Sequence, residues 1–147
     1  MSAKIHLDLY GIIYEKTNTG YSCHSEILIG CSSSGSTMKE CRNNMKKAIL
    51  LHLEGLEEDG IRVEIDSNGN VFWYNEEGFH RDGDLPAIIW SNETKEWYKN
   101  NKKHRDGNKP AVVYKNGAKE YWIDGVKEDN FAEDRNYNVY EIKVDGE

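Results

Sequence analysis

The second half of the chain repeats itself every 24 residues, which limits it to stacked copies of one small unit. His80-Arg81-Asp82-Gly83 returns as His104-Arg105-Asp106-Gly107. Pro86-Ala87 returns as Pro110-Ala111, and Ile88-Ile89-Trp90 as Val112-Val113-Tyr114. Asn92 maps onto Asn116, and Asn100 onto Asp124. Trp73-Tyr74 maps onto Trp97-Tyr98 and again onto Tyr121-Trp122. The third copy stops at Glu128-Asp129, where His-Arg would fall. Two full units and part of a third are therefore expected.

Each unit reads as a hairpin: β-rich stretches joined by turns that carry Asn and Gly. Ser67-Asn68-Gly69-Asn70 and Lys115-Asn116-Gly117 are the strongest turn signals. The expectation is an antiparallel β meander with strands near residues 61–66, 71–75, 87–90, 96–99, 111–115 and 120–123. Residues 137–145 alternate well enough for one last, charged strand that blunts the sheet edge. The four Trp, nine Tyr and three Phe indicate a folded chain built on large rings. Neighbours on a strand point to opposite faces, so one ring of each Trp/Tyr pair belongs to the core and the other to a surface. Trp73, Trp90, Trp97, Tyr98, Tyr114 and Trp122 are the candidates for binding a partner.

His, Arg, Asp and Gly together invite a catalytic reading. A catalytic site, however, needs one convergent constellation in one pocket. Two copies on successive rungs, in the same local surroundings, are what a structural turn produces. Asp82 and Asp106 are expected to accept from amides two or three residues on, with Gly83 and Gly107 at positive φ. The arginines and histidines are expected to pair with carboxylates or stack on rings of the next rung. No catalytic, cofactor-binding or metal-ligating residue is assigned.

The first half reads differently. Residues 4–16 and 21–28 are expected as two antiparallel strands, followed by a Ser-Ser-Ser-Gly-Ser loop. Thr37 and Glu40 fit a capping box. Met38, Cys41, Met45, Ala48, Ile49, Leu53 and Leu56 recur at three- and four-residue steps. That is one apolar stripe on a helix of about five turns ending near Gly60, with Arg42, Lys46 and Lys47 on a solvated face.

Residues 5–60 resemble the HicB family, the antitoxin half of a type II toxin–antitoxin pair. The resemblance rests on Gly30-Cys31, Ser33, Gly35, Thr37, Glu40, Asn44, Ala48-Ile49 and Leu53-Glu54, with Ser36 and Cys41 departing from the usual Asp and Ala. It implies a partly degenerate RNase H-like unit that does no chemistry and occludes a small RNA-cleaving toxin. The segment "GIRVEID" is placed to close its sheet. The DNA-binding module that usually follows in that family is missing from this pattern. Residues 69–129 resemble MORN-like repeats of the form Trp-x-x-Asn-Gly-x-x-His-Arg-x-Asp-Gly-Pro-Ala, found in phage and bacterial proteins. They depart from it by an inserted pair, Asp84-Leu85 and Asn108-Lys109. That resemblance implies a sheet used for interaction.

The expected architecture is α+β: a HicB-like β-β-α unit (1–60), an antiparallel meander of MORN-like hairpins (61–129) and an acidic tail (130–147). The net charge is −7, with no basic patch, which counts against direct nucleic-acid binding and suits a basic protein partner. Three cysteines without metal or redox spacing read as free thiols in a cytoplasmic protein, in the host cytoplasm if phage-encoded. No signal peptide and no apolar run of about 20 residues is seen, so no membrane role is expected. The expected function is a non-enzymatic inhibitor or adaptor, read as a phage-encoded anti-defence protein. It would cover a host nuclease or defence effector by steric occlusion. The alternative is an antitoxin that neutralises a HicA-like toxin. An exposed sheet edge is compatible with a homodimer.

Overall fold

The protein, a computed structural model, is described over residues 4–128. It is a mixed α and β chain with one α-helix and antiparallel sheets joined by hairpins. It divides into two units between Arg62 and Val63. Among the described residues, no helix is long and apolar enough to cross a membrane. The strand expected over residues 137–145 lies outside the described residues.

In the first unit, β1 (Ile12–Lys16), β2 (Tyr21–Ser25) and β3 (Ser32–Gly35) form a three-stranded sheet in that order. Helix α1 (Met38–Glu58) follows. Three expectations are corrected. The first strand begins only at Ile12, because residues Leu7–Leu9 form a 3₁₀ turn that buries Leu7. The second strand stops at Ser25, whose hydroxyl accepts from the Ile27 and Leu28 amides and donates to the Tyr10 carbonyl at 2.6 Å. The Ser-Ser-Ser-Gly run is strand β3, paired with β2 from His24↔Ser32 to Tyr21↔Gly35. It reads as a loop by composition, yet its small residues are what the packing requires. A Cβ on Gly35 would collide with the Cys41 backbone at the start of α1.

Thr37 caps α1, accepting from the Glu40 amide at 3.1 Å. The Glu40 carboxylate reaches back to the Ser36 amide and hydroxyl, one residue before the expected partner, and these bonds hold its pKa below the usual value. Gly60 (φ 80) ends the helix, with the Ile61 amide donating to the Leu56 carbonyl. Cys41, Met45 and Ile49 are the fully buried residues of the expected stripe, whereas Met38 is partly exposed. Cys23, Cys31 and Cys41 are free and buried, with Cys23 Sγ 3.3 Å from Cys41 Sγ. Burial is the main cause that pushes the Cys23 thiol up to about 12.

The second unit is the repeat. The strands β4 (Arg62–Ile65), β5 (Val71–Asn75), β7 (Ile88–Ile89), β8 (Lys95–Glu96), β11 (Val112–Val113) and β12 (Lys119–Glu120) line up as β12-β11-β8-β7-β5-β4. Thus "GIRVEID" supplies β4 to this sheet and does not extend the β1–β3 sheet. The remaining strands make small hairpins: β6 (Gly78–Phe79) with β5, β9 (Tyr98–Lys99) with β10 (Lys102–Lys103), and β13 (Trp122–Ile123) with β14 (Val126–Lys127).

β5, β8–β9 and β12–β13 are three copies of one strand. Its first half belongs to the long sheet and its second half turns out into a hairpin. The expected continuous strands over 96–99 and 120–123 are therefore each broken, at Trp97 and Tyr121. At the first break the Trp97 amide donates to the Ala111 carbonyl, as the Trp73 amide does to Ala87. The turns match the expectation in kind. Asn100 and Asn101 (φ 49 and 67), then Asp124 and Gly125 (φ 49 and 84), make two-residue turns with both φ positive.

Candidate interaction site

Both His-Arg-Asp-Gly loops fold the same way, and their groups are joined to each other. His80 Nε2 meets Asp82 Oδ1 at 2.9 Å, and His104 Nε2 meets Asp106 Oδ1 at 2.7 Å. The aspartates turn back to the imidazole two residues earlier, in place of the downstream amides expected of an Asx turn. Gly83 and Gly107 both have φ 79, as the turn requires. The other ring nitrogen is also occupied. His80 Nδ1 accepts from the Asn100 amide, and His104 Nδ1 from the Asp124 amide, each at 3.0 Å. Neither nitrogen is left to take a proton from a substrate.

The arginines stack inward. The Arg81 guanidinium lies 3.9 Å from the centre of the Trp73 ring, and Arg105 lies 3.8 Å from Trp97. Each also donates to the carbonyl of the next proline, Pro86 or Pro110, at 3.1 Å. The stack is made within a rung, eight residues back along the chain. The next rung's arginine is joined to this one through Asp84, one of the inserted pair. Asp84 (φ 57) accepts from Arg105 Nε at 2.8 Å and Lys109 Nζ at 2.9 Å, and these bonds lower its pKa to about 2. Burial lowers the Arg81 pKa to about 10. The loops border a cleft of about 170 Å³. No group of acidic, His or Cys residues among those described is arranged to hold a metal ion.

The opposite face of the sheet is aromatic and half exposed. Residues opposed in an antiparallel ladder share a face. Phe72↔Ile88↔Glu96↔Val112↔Glu120 places these five together, with Ile88 and Val112 buried beneath the rest. By alternation Trp73 and Trp97 point to the other side, where they are buried. They are core residues stacked under arginines, 6% and 8% exposed, so little of either ring is left for a partner to touch. Trp90, Tyr98, Tyr114 and Trp122 are on the aromatic face, and Tyr114 is 38% exposed.

What organises this face is a pair of carboxylates that sequence reasoning missed. Glu96 accepts from Trp90 Nε1 at 2.6 Å and Tyr98 OH at 3.0 Å. One repeat later Glu120 accepts from Tyr114 OH at 2.7 Å and Trp122 Nε1 at 2.9 Å. The hydrogen bond from Trp122, then that from Tyr114, lowers the Glu120 pKa. Burial, with Glu96 behind it, raises that of Tyr98. The signal was Lys95-Glu96-Trp97 returning as Lys119-Glu120-Tyr121 at the same 24-residue step. Phe79 stacks on Tyr74 of its own hairpin at 5.1 Å and meets Tyr98 of the next rung at 5.2 Å with the rings tilted by 53°.

Comparison with known proteins adds one relationship. A stretch of 51 residues, 35% of this chain, is 45% identical to the "Uncharacterized 14.9 kDa protein in rep-hol intergenic region" of Haemophilus phage HP1 (strain HP1c1). The match spans 38% of the phage protein's length. No protein-family model matches the chain, and no solved structure does.

Proposed function

We propose that this chain is a non-enzymatic protein-binding inhibitor or adaptor that covers a partner's active or substrate-binding surface with the aromatic face of its repeat array. The observation that carries the reading is the fate of the histidines. In both loops each ring nitrogen has an internal partner, so the residues that most invite catalysis are spent on holding rungs together. What the array leaves to the outside is a half-exposed sheet of rings and carboxylates, and rings of this kind are enriched at protein interfaces. The similarity to a phage protein supports a phage origin, and with it a host nuclease or defence effector as the partner. A MORN-like array is the finer fold reading, supported by the 24-residue rungs.

The test is reconstitution. A nuclease captured from host lysate by the tagged chain is assayed with and without added chain. Loss of nuclease activity at about one chain per enzyme supports occlusion. A bound nuclease that keeps full activity overturns it. So does an intrinsic activity of the chain that disappears in the double variant His80→Ala/His104→Ala.

A second reading, an antitoxin for a HicA-like toxin, draws on the first unit. There, a third strand is added to the β-β-α order of the HicB-like reading, and the Thr37-capped helix α1 is the part that supports it. Co-expression with such a toxin separates the two: rescue of growth by the residues before Arg62 alone supports the antitoxin.

A further inference from the structure

The aromatic face already holds one cation. Lys103 Nζ sits 4.6 Å from the Trp122 ring centre and 6.0 Å from that of Tyr98, and 3.5 Å from Glu96 Oε1. Rings on two sides and a carboxylate behind are the ingredients of an ammonium-binding cage. One rung earlier the same position is Phe79, a flat ring packed between Tyr74 and Tyr98. The space between rungs therefore takes a flat group in one copy and a positive charge in the next. A guanidinium is both. Inside the same unit, Arg81 and Arg105 show that arginines stack closely on its tryptophans.

The next copy of the carboxylate, Glu120, accepts from the rings of Tyr114 and Trp122, and the exposed Lys127 Nζ, the counterpart of Lys103, lies 3.8 Å from it, a surface contact that an arriving cation must displace. Tyr114 stands out toward solvent. The chain as a whole carries a charge of −7, five of it within residues 128–147, and that net charge draws in a basic partner and repels an acidic one. We propose that this face docks the cationic side chains of a protein partner, arginine above lysine, with Tyr114, Glu120 and Trp122 as the principal seat. The inference rests on the reading that this face binds a protein, and names the chemistry that it recognises. Arginine leads because its planar head matches ring and carboxylate together, whereas the lysine ammonium is a hydrated point charge.

The experiment uses the full chain and a short synthetic peptide of alternating arginine and serine. Its controls are the lysine and glutamine analogues. Binding is read from the indole N–H signals of Trp90 and Trp122 in a heteronuclear NMR titration. Saturable shifts at Trp122 with the arginine peptide, weaker ones with lysine and none with glutamine are expected. Glu120→Gln is expected to weaken the arginine peptide about tenfold, since it removes the charge while leaving an acceptor for the rings. Lys103→Ala gives an independent arm: it empties the slot between Tyr98 and Trp122. Free methylguanidinium is then expected to shift the Trp122 signal more strongly, and at lower concentration, in the variant than in the parent.

Equal shifts with the glutamine peptide, or arginine binding untouched by Glu120→Gln together with no response of Lys103→Ala to methylguanidinium, overturn the proposal. A nuclease that the chain inhibits while the arginine peptide fails to bind leaves protein occlusion standing and removes cationic docking. Arginine binding without any inhibited partner does the reverse.

Discussion

His80 Nδ1 accepts a hydrogen bond from the backbone amide of Asn100, twenty positions further along the chain, at 3.0 Å. An accepting Nδ1 has no proton, so the ring proton sits on Nε2, where it faces Asp82. The same pair recurs as His104 with Asp124. The histidine is thus a staple: it holds the turn of one hairpin to the loop of the rung before.

Removing the staple leaves an amide without its acceptor and takes away a largely buried ring. His80→Ala and His104→Ala are each expected to lower the unfolding free energy by about 1–3 kcal/mol. Urea denaturation followed by tryptophan fluorescence measures this. Loss smaller than about 0.5 kcal/mol at both positions contradicts the staple.

Asp84 sets a pH dependence. Its folded pKa, about 2, lies below the ordinary carboxylate value of about 3.9 because Arg105 and Lys109 hydrogen-bond its charged form. A depressed pKa stabilises the fold above the unfolded value, and that stabilisation is lost as pH falls through the folded one. Asp84→Asn is therefore expected to be less stable than the parent at neutral pH. The difference should shrink between about pH 4 and pH 2. Thermal unfolding of both proteins across that window checks it, and a constant difference goes against the assignment.

Gly78 and Asn101 test how tightly rungs stack. Gly78 has φ 123, and a Cβ there would collide with the Asn101 side chain, which accepts from the Phe79 amide. Gly78→Ala is expected to destabilise by about 1–3 kcal/mol. The next rung has Gly125 where this one has Asn101. Asn101→Gly should therefore relieve the collision and leave the φ strain, and a double-mutant cycle in urea measures the coupling. Strict additivity rules out the contact as its cause.

The parts of this structure that were visible in the residues are those governed by local rules. The 24-residue echo located the rungs, alternation required one ring of each Trp/Tyr pair to turn inward without saying which, and Thr37 and Gly60 marked the ends of α1. The parts that were not visible depend on what comes near in space. Ser32–Gly35 looks like a loop until a helix packs so close that only small residues fit. Asp84 looks like an interruption of the repeat until Arg105 of the next copy reaches it. The carboxylates of Glu96 and Glu120 look like solvated charges, and only the folded sheet brings two ring donors to each.

The two buried tryptophans differ in one atom's surroundings. Trp97 Nε1 donates to the Asp84 carbonyl of the preceding rung at 3.1 Å. Trp73 Nε1 is buried without a hydrogen-bond partner among the described residues. Counting back 24 residues from Asp84 reaches Gly60, at the end of α1, where the repeat pattern has not begun. The first rung has no earlier rung to supply the carbonyl. Replacing either indole by phenylalanine removes similar volume, so the volume terms largely cancel in the comparison. The N–H does not cancel: at Trp97 a made hydrogen bond is lost and the Asp84 carbonyl gives up a partner, whereas at Trp73 a buried, unmatched donor is removed. Trp97→Phe is therefore expected to be more destabilising than Trp73→Phe by about 1 kcal/mol or more. Chemical denaturation of the two variants, followed by far-ultraviolet circular dichroism, reads the difference directly. An equal loss at both sites, or a greater one at Trp73, shows that the first rung finds its acceptor after all.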